Sequence, residues 1–229
     1  MLVVEFPLKG EWVAPHTPGD KIPSHGTNSL GQRYAYDFFR TDVNSKKTFK
    51  FYKSSFIRYR TLGISIHDCY CYKEPIYSPV NGKVILVKDG VNEPGYLHPI
   101  LDMLKVIVRT ISATAQGLFL PANKIQLHKL IGNYVIIQFE EYYAFFAHIS
   151  PGTIQVKKGQ KVNIGDVIGA VGHSGNSTAP HLHFHIMDSP DLLKAKGVSC
   201  AFKKYYVFSD HGWEETINGI PKSTQRIKL

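Results

Sequence analysis

Cysteine is scarce in this chain, as are acidic residues and long apolar runs. The three cysteines are Cys69, Cys71 and Cys200. Because their number is odd, they cannot all pair within one chain, and no disulfide framework is predicted. Cys69 and Cys71 also stand too close together for a Cys-x-x-Cys metal knuckle. We therefore predict that Cys69 and Cys71 are structural.

Apolar runs are short throughout. None reaches the roughly 18 residues that a membrane-spanning helix needs. Residues 1–7 lack the basic segment and following apolar segment of a secretory signal. The sequence thus predicts no transmembrane segment. If the protein is exported, its signal has been removed from this sequence or export uses another route.

Acidic residues are few relative to basic ones. The chain has 27 Lys and Arg against 18 Asp and Glu, which gives a formal net charge of +9. Such an excess favours association with an anionic polymer or surface. The basic residues are scattered, without an RNP-type strand or a zinc-finger spacing, so no specific nucleic-acid binding is predicted. A polyanionic cell envelope fits as well, and a basic surface that only aids solubility stays an open alternative.

Aromatic residues and glycine are plentiful, with 13 Tyr, 13 Phe and 19 Gly in 229 residues. With few long helical patterns, they favour a mainly β fold with many tight turns. The length suits a single domain over residues 1–229. Its predicted parts are an extended segment (1–24), a polar and aromatic excursion (40–73), an insertion (88–131) and a C-terminal extension (189–229).

Local patterns predict the individual elements. Trp12 and Val13 read as the start of an edge strand, and the insertion as carrying one helix within 97–108 that begins near Pro99. Further strands and one hairpin are predicted at 36–39, 64–66, 83–87, 132–149, 181–186 and 200–208, and a second helix at 190–197.

Histidines are concentrated in the stretch 169–186, which reads GAVGHSGNSTAPHLHFHI. His181, His183 and His185 alternate with large apolar residues, the period-2 pattern of a half-buried strand. On such a strand the three imidazoles share one face, spaced about 6.6 Å apart. Two imidazoles at that spacing can share a site, one binding a metal and the other acting on a water.

Three further residues carry metal-type or base-type side chains at strand ends. His25 lies in a turn, Asp37 in an aromatic strand, and His148 near the end of the predicted hairpin. A carboxylate near a core is costly unless it is paired or bound to a metal. Arg33 is one candidate partner for Asp37, and a metal is the other.

Taken in order, several segments resemble the M23 zinc metallopeptidases, the lysostaphin-type or LytM-like enzymes that cut peptide bonds in bacterial peptidoglycan. Residues 79–84 (PVNGKV) look like the family's P-V-x-G-x-V, and 147–149 like its Tyr-x-His-Leu strand. Residues 156–172 look like its V-x-x-G-x-x-V-x-x-G-x-x-I-G corner. Residues 175–184 (GNSTAPHLHF) resemble its G-x-S-T-G-P-H-L-H-F signature.

This resemblance implies an antiparallel β-sheet with an open active-site groove, walled by loops that include the excursion and the mixed insertion. It implies one Zn²⁺ per chain, held by His25, Asp37 and His183, with His148 and His181 flanking the bound water and the developing oxyanion. It further implies a metalloendopeptidase that acts on peptidoglycan peptides and is extracellular or associated with the cell envelope.

The chain also departs from the family pattern. The family commonly has His-x-x-x-Asp, whereas 12 positions separate His25 from Asp37 here. His16 is therefore a competing ligand. His185 stands where H-L-H-F-E-I has Glu, so that a carboxylate behind the metal ligands is missing, and we predict a structural role for His185.

Two other functions are compatible with parts of the sequence. One is a non-catalytic M23-like protein that binds cell wall or regulates a hydrolase. The other is a phosphocarrier or lipoyl-type β-domain, which also combines glycine-rich corners with paired histidines. Asp37 and the complete H-L-H-F strand argue against the second.

Overall fold

The computed structural model describes residues 1–42, 49–119 and 126–229, which form a mainly β fold, as the sequence predicts. The strands of the N-terminal half are β1 (Leu2–Val4), β2 (Glu11–His16), β3 (Tyr36–Phe39), β4 (Ile64–Ser65), β5 (Pro75–Tyr77), β6 (Gly82–Lys88) and β7 (Tyr96–Leu97). Those of the C-terminal half are β8 (Asn133–Phe139), β9 (Tyr142–Ile149), β10 (Lys161–Val162), β11 (Val167–Ala170), β12 (Leu182–Met187), β13 (Gly197–Val198), β14 (Cys200–Ser209), β15 (Gly212–Gly219) and β16 (Arg226–Lys228).

Most strands join one large sheet in the order β1-β14-β16-β2-β3-β12-β9-β8-β6-β10. The pairings are antiparallel except for β1 with β14, which is parallel. The predicted hairpin at 132–149 is confirmed as β8 and β9. The histidine strand β12 lies between β3 and β9, and its register sets His183 opposite Asp37 on one side and opposite Ala147 on the other. The sheet thereby brings together residues that are far apart in the chain.

Both faces of β12 are buried, so the prediction of a half-buried strand is wrong. Leu182 and Phe184 face the main aromatic core, as alternation requires. The histidine face adjoins a second apolar cluster. Its members in the sheet are Ile136, Phe145, Ala147 and Met187, and its members outside the strands are Ile131, Leu192 and Ala195. Because residues from separate segments contribute to this cluster, local periodicity did not reveal the burial.

The N-terminal strand β2 is an interior strand, which corrects the prediction of an edge strand at Trp12 and Val13. β3 pairs with one side of β2, and the C-terminal strand β16 pairs with the other. Trp12 is consequently buried, and its indole nitrogen donates to the Lys9 carbonyl at 2.8 Å. Both chain ends are therefore tied into the same sheet.

Helices occupy the connections. They are α1 (Phe56–Thr61), α2 (Pro99–Phe119) and α3 (His128–Ile131). The predicted helix near Pro99 exists but extends well beyond residue 108. At its first turn a carboxylate oxygen of Asp102 accepts from the backbone N–H of His98 at 2.7 Å, which caps free donors there. The helix predicted at 190–197 is wrong, because residues 192–194 form a turn and Gly197 begins β13. No helix within the described ranges is long and apolar enough to cross a membrane.

The three cysteines are buried and carry free thiols. Burial raises the pKa of both Cys71 and Cys200 to about 12 and raises that of Cys69 as well. These groups therefore stay protonated at neutral pH and are poor metal ligands or nucleophiles.

Candidate active site

Asp37 is the centre of a histidine cluster. Its Oδ1 lies 2.9 Å from Nδ1 of His183 and 3.5 Å from Nε2 of His181. Its Oδ2 lies 2.9 Å from Nε2 of His25 and 3.0 Å from Nδ1 of His16. The carboxylate is buried, and the imidazoles of His16, His25 and His183, which lie at hydrogen-bond distance, supply the pairing that a buried charge requires.

Arg33 is not the partner of Asp37, so that prediction is wrong. The guanidinium contacts the Tyr34 hydroxyl at 3.2 Å and donates to Oδ1 of Asn28 at 2.7 Å. Arg33 belongs to the turn before β3, where these nearer acceptors satisfy it. His16 and His183 reach Asp37 through strand pairing instead, because each lies opposite Asp37 in the sheet.

His183 is oriented from both ring nitrogens. Nδ1 faces Asp37, and Nε2 lies 3.1 Å from Nδ1 of His185. His185 is itself stacked on Phe145 with ring centroids 4.7 Å apart. His185, which stands where the family has glutamate, thus contacts Nε2 of His183. A carboxylate at this position would be expected to contact the same nitrogen.

His25 has the same type of two-sided contact. Its Nε2 faces Asp37, and its Nδ1 lies 3.0 Å from the Ser24 hydroxyl. The ring sits edge-on to that of His183 at a centroid distance of 4.9 Å. Among the described residues, donor atoms of His16, His25 and Asp37 also lie within 4.8 Å of one another. His16 thus contacts Oδ2 of Asp37, the oxygen that His25 also contacts, whereas His183 contacts Oδ1.

His148 faces the cluster because the backbone of β9 is irregular. Strict alternation would put His148 on the core side, with Phe146. The register between β8 and β9 shifts from Val135↔Phe146 to Asn133↔Ile149, which leaves one extra residue on β9. His148 itself has φ = +60°, a left-handed conformation that costs a non-glycine residue roughly 1–2 kcal/mol. Such bulges re-aim side chains beside active sites.

Backbone carbonyls hold the Nδ1 atoms of the two remaining cluster histidines. Nδ1 of His148 donates to the Ser174 carbonyl at 2.8 Å, and Nδ1 of His181 to the Ala179 carbonyl at 2.8 Å. A carbonyl only accepts, so each Nδ1 carries a proton. In the neutral ring the lone pair then lies on Nε2.

Ser177 connects this pair to a further buried histidine. Its hydroxyl oxygen lies 3.1 Å from Nδ1 of His181 and 3.0 Å from Nδ1 of His173. Neither His173 nor Ser177 was predicted as a site residue, although both belong to the histidine-rich stretch 169–186. The run of small and turn-forming residues around them was read only as a connection. The signal that could have identified His173 as a site residue was its closeness in sequence to the His-x-His motif at 181–183.

Burial and mutual proximity shift the pKa values of the cluster. Burial alone would raise the pKa of Asp37, but the surrounding histidines hold it well below its usual range. Burial lowers the pKa of His148 far below 6.5 and lowers that of His183 as well. Bonding to Asp37 raises the pKa of His16. The site therefore combines an ionised carboxylate with neutral buried imidazoles, a suitable donor set for a divalent metal.

The cluster lines a cavity of about 740 Å³. One wall is the insertion helix α2, through Val106, Thr110, Ala113, Thr114 and Gly117. The cluster histidines and the carboxylate line the opposite part, namely His16, His25, Asp37, His148, His181, His183 and His185. The five residues predicted from the sequence as ligands or catalysts are thus brought to one cavity.

Residues 96–194 match the model described as peptidase family M23, so the M23 resemblance found in the sequence is confirmed. The matched segment is a little under half of the chain. It contains His148, His181 and His183 and begins after His25 and Asp37.

Curated relatives are similar over shorter stretches. The peptidoglycan DD-endopeptidase ShyA of Vibrio cholerae is 46% identical over 61 residues, which are 26% of this chain and 14% of that protein. ShyB of the same organism, also a peptidoglycan DD-endopeptidase, is 30% identical over 119 residues, 48% of this chain and 26% of that protein. The chain spans less than a third of the length of the curated relatives it matches.

Solved structures are similar at lower identity. A variant of the catalytic domain of the prophage-encoded M23 protein EnpA from Enterococcus faecalis is 18% identical, with a TM-score of 0.36 over 70% of this chain and 83% of that one. The catalytic domain of lysostaphin from Staphylococcus simulans is 16% identical, with a TM-score of 0.34 over 73% of this chain and 90% of that one.

Proposed function

We propose that this M23-like chain is a zinc-dependent endopeptidase that hydrolyses peptide bonds in bacterial cell-wall peptidoglycan. One observation carries the proposal: His25 and His183 converge on Asp37 in a cavity that His148 and His181 also line. Two imidazoles and one carboxylate make a sufficient protein shell for catalytic zinc and leave a coordination position for water. The names of the Vibrio relatives support peptidoglycan as the substrate.

The proposed ligands His25, Asp37 and His183 fit zinc. In each histidine one ring nitrogen faces Asp37, and the other is within hydrogen-bond distance of a polar group. A metal-ligating histidine typically has its second nitrogen held in this way, since that contact fixes the ring and its tautomer. The lowered pKa of Asp37 keeps the carboxylate ionised for metal binding.

His25 is a better candidate than His16 for the first ligand. The His16 side chain is 54% exposed, whereas that of His25 is only 16% exposed. The Ser24 hydroxyl also fixes the His25 ring. A buried and pre-oriented imidazole loses less conformational entropy on binding a metal than an exposed one.

Zinc bound there would lower the pKa of a water and polarise the scissile carbonyl as a Lewis acid. His148 and His181 would handle the proton, since their protonated Nδ1 atoms are tied to carbonyls and their Nε2 atoms carry the lone pair. Burial lowers the pKa of His148, so the ring is neutral at neutral pH and its Nε2 lone pair is free. One of the two would act as general base, and the other would stabilise the oxyanion or protonate the leaving amine.

The proposed setting is the outside of the cell or the cell envelope, where peptidoglycan lies. The net charge of +9 supports contact with anionic envelope polymers. We propose one domain over 1–229, with the 40–73 excursion and the 88–131 insertion shaping the substrate groove.

The test is the zinc content per chain, measured by elemental mass spectrometry after identical purification and dialysis. The samples are the wild type, His183→Ala and the matched control His211→Ala, whose histidine is exposed in the turn between β14 and β15. We expect about one zinc in the wild type and the control and almost none in His183→Ala. Each sample is then incubated with purified peptidoglycan, and released peptides and new amino termini are identified by mass spectrometry.

Two results would contradict the proposal. Equal zinc in wild type and His183→Ala would mean that the histidine strand holds no metal. A zinc-loaded wild type that sediments with peptidoglycan but creates no new amino terminus would favour the non-catalytic alternative, a protein that binds cell wall or regulates a hydrolase.

A further inference from the structure

The insertion helix α2 has two faces of different chemistry. Ile100, Leu104, Ile107 and Ile111 recur at the spacing of one helical face. Asp102, Val106, Arg109 and Ala113 recur at the same spacing two residues later, about 200° around the helix. The first face is wholly aliphatic, whereas the second is polar or small.

The polar and small face is the one that contacts the protein. Asp102 is buried, and the Arg109 guanidinium donates to the Gly175 carbonyl. The side-chain amide of Asn176 donates to the Thr110 hydroxyl at 3.1 Å. Val106 and Ala113 line the active-site cavity. These contacts fix which way the helix faces.

The aliphatic face points away from the protein. Ile100, Leu104, Ile107, Val108 and Ile111 are each between 47% and 65% exposed. An amphipathic surface helix of a globular protein normally turns such a face to the core. Here the orientation is reversed along a helix about 31 Å long. A continuous exposed apolar face of this kind marks a surface that binds a partner or a membrane.

Neighbouring residues add cations to this face. The short helix α1 contacts α2 and exposes Phe56 and Ile57 together with Arg58 and Arg60. Six Lys or Arg and two Asp occur in residues 49–70 and 96–119. The two acids, Asp68 and Asp102, are partly or fully buried and accept hydrogen bonds within the protein. The exposed charge of this region is therefore basic.

We propose that α2 and α1 bind the surface of an anionic lipid bilayer, with the aliphatic face of α2 inserted among the headgroups. A helix with one apolar face and nearby Lys and Arg lies in the plane of such an interface. Anionic headgroups also complement the basic residues of α1. A second copy of the chain fits less well, since two molecules of net charge +9 repel each other. This binding is separate from peptide hydrolysis and does not depend on it.

The experiment is flotation of the zinc-loaded protein with vesicles of phosphatidylcholine alone or of phosphatidylcholine mixed with phosphatidylglycerol. We expect the wild type to float with the mixed vesicles and much less with phosphatidylcholine. Leu104→Glu combined with Ile111→Glu should weaken this binding at least about tenfold, because both charges enter the inserted face. Arg58→Gln with Arg60→Gln should weaken binding to the mixed vesicles alone, and increasingly so at low salt.

The matched control is Ile164→Glu with Ile217→Glu. These positions are also exposed aliphatic residues, at 49% and 55%, but they lie outside α1 and α2. The control adds the same charge and should float like the wild type. Thermal unfolding and zinc content, measured on every variant, establish that each one is folded.

Three outcomes would overturn the proposal. The first is failure of the folded wild type to float with either vesicle. The second is equal flotation of the α2 variant and the control. The third is a dimer that forms without lipid in sedimentation velocity and is lost in the variant Leu104→Glu with Ile111→Glu. The aliphatic face would then bind a second copy of the chain.

Discussion

The two pairs of histidines around Asp37 are held in different ways. In His25 and His183 one nitrogen faces the carboxylate, and a neighbouring side chain contacts the other. In His148 and His181 a backbone carbonyl fixes Nδ1. Side-chain partners can exchange donor and acceptor roles when a metal arrives, whereas a carbonyl only accepts. The first pair is therefore suited to sharing a cation with Asp37, and the second to accepting a proton at Nε2.

The strongest test of this comparison is to remove the proposed buried ligand His25 and its exposed competitor His16 separately. His25→Ala should lose nearly all zinc and all hydrolysis, because two protein ligands hold zinc far more weakly than three. His16→Ala should retain zinc, because His16 is mostly exposed. Zinc content after dialysis and peptidoglycan digestion measure both. The reverse result, with a zinc-loaded and active His25→Ala, would identify His16 as the ligand.

Removing a carbonyl-held histidine should separate metal binding from catalysis. His148→Ala or His181→Ala should retain about one zinc but lower the hydrolysis rate about 10²–10⁴-fold, the usual contribution of a positioned acid or base. The measurements are zinc content and the initial rate of release of new amino termini. Loss of zinc in either variant would show that His148 or His181 is needed for zinc binding, contrary to this comparison.

A smaller effect should follow from the partner behind His183. His185→Ala removes the group 3.1 Å from Nε2 of His183 and should weaken zinc affinity about 10–100-fold, as loss of such partners does. His185→Glu should recover much of the affinity, since a carboxylate accepts from the same nitrogen. Competition with a chromogenic chelator gives the dissociation constants. Unchanged affinity in His185→Ala would mean that His185 serves packing against Phe145 alone.

Part of this site could be predicted from the sequence because it depends on local spacing. The alternation at His181 and His183 predicted a row of imidazoles on one strand face, and the M23 resemblance implied that Asp37 joins them. Neighbouring strands then brought Asp37 opposite His183. Motif order added His25 and His148. Their roles as ligands and acid–base groups stay predictions.

Other features depend on contacts that a local pattern does not contain. The direction of the His148 side chain follows from a bulge and a left-handed backbone, which contradict strict alternation. The burial of the histidine face depends on residues such as Ile131 and Leu192 from other segments. The helix α2 was predicted from Pro99 at its first turn, and the apolar residues of 97–108 were not assigned to a face. Polar contacts such as Arg109 to the Gly175 carbonyl turned the aliphatic face outward.

The smallest expected effect concerns His173, which is connected to His181 through Ser177 and belongs to neither pair. Burial lowers the pKa of His173 to about 4, from 6.5. As pH falls below 6.5, the unfolded chain takes up a proton that the folded protein refuses until about pH 4, so the free energy of unfolding falls. From pH 7.5 to 5.0 this residue alone should remove about 2 kcal/mol.

Urea unfolding of the zinc-free protein, followed by tryptophan fluorescence at both pH values, measures this loss. Other buried histidines, such as His148, act in the same direction and remain in every sample. The informative quantity is therefore the difference between wild type and His173→Gln. Glutamine does not titrate, so the variant should lose about 2 kcal/mol less than the wild type over this range. His211→Ala, an exposed control, should follow the wild type. If His173→Gln showed the full wild-type pH dependence, His173 would be protonated equally in the folded and unfolded states, and the acid sensitivity would belong to the residues around Asp37.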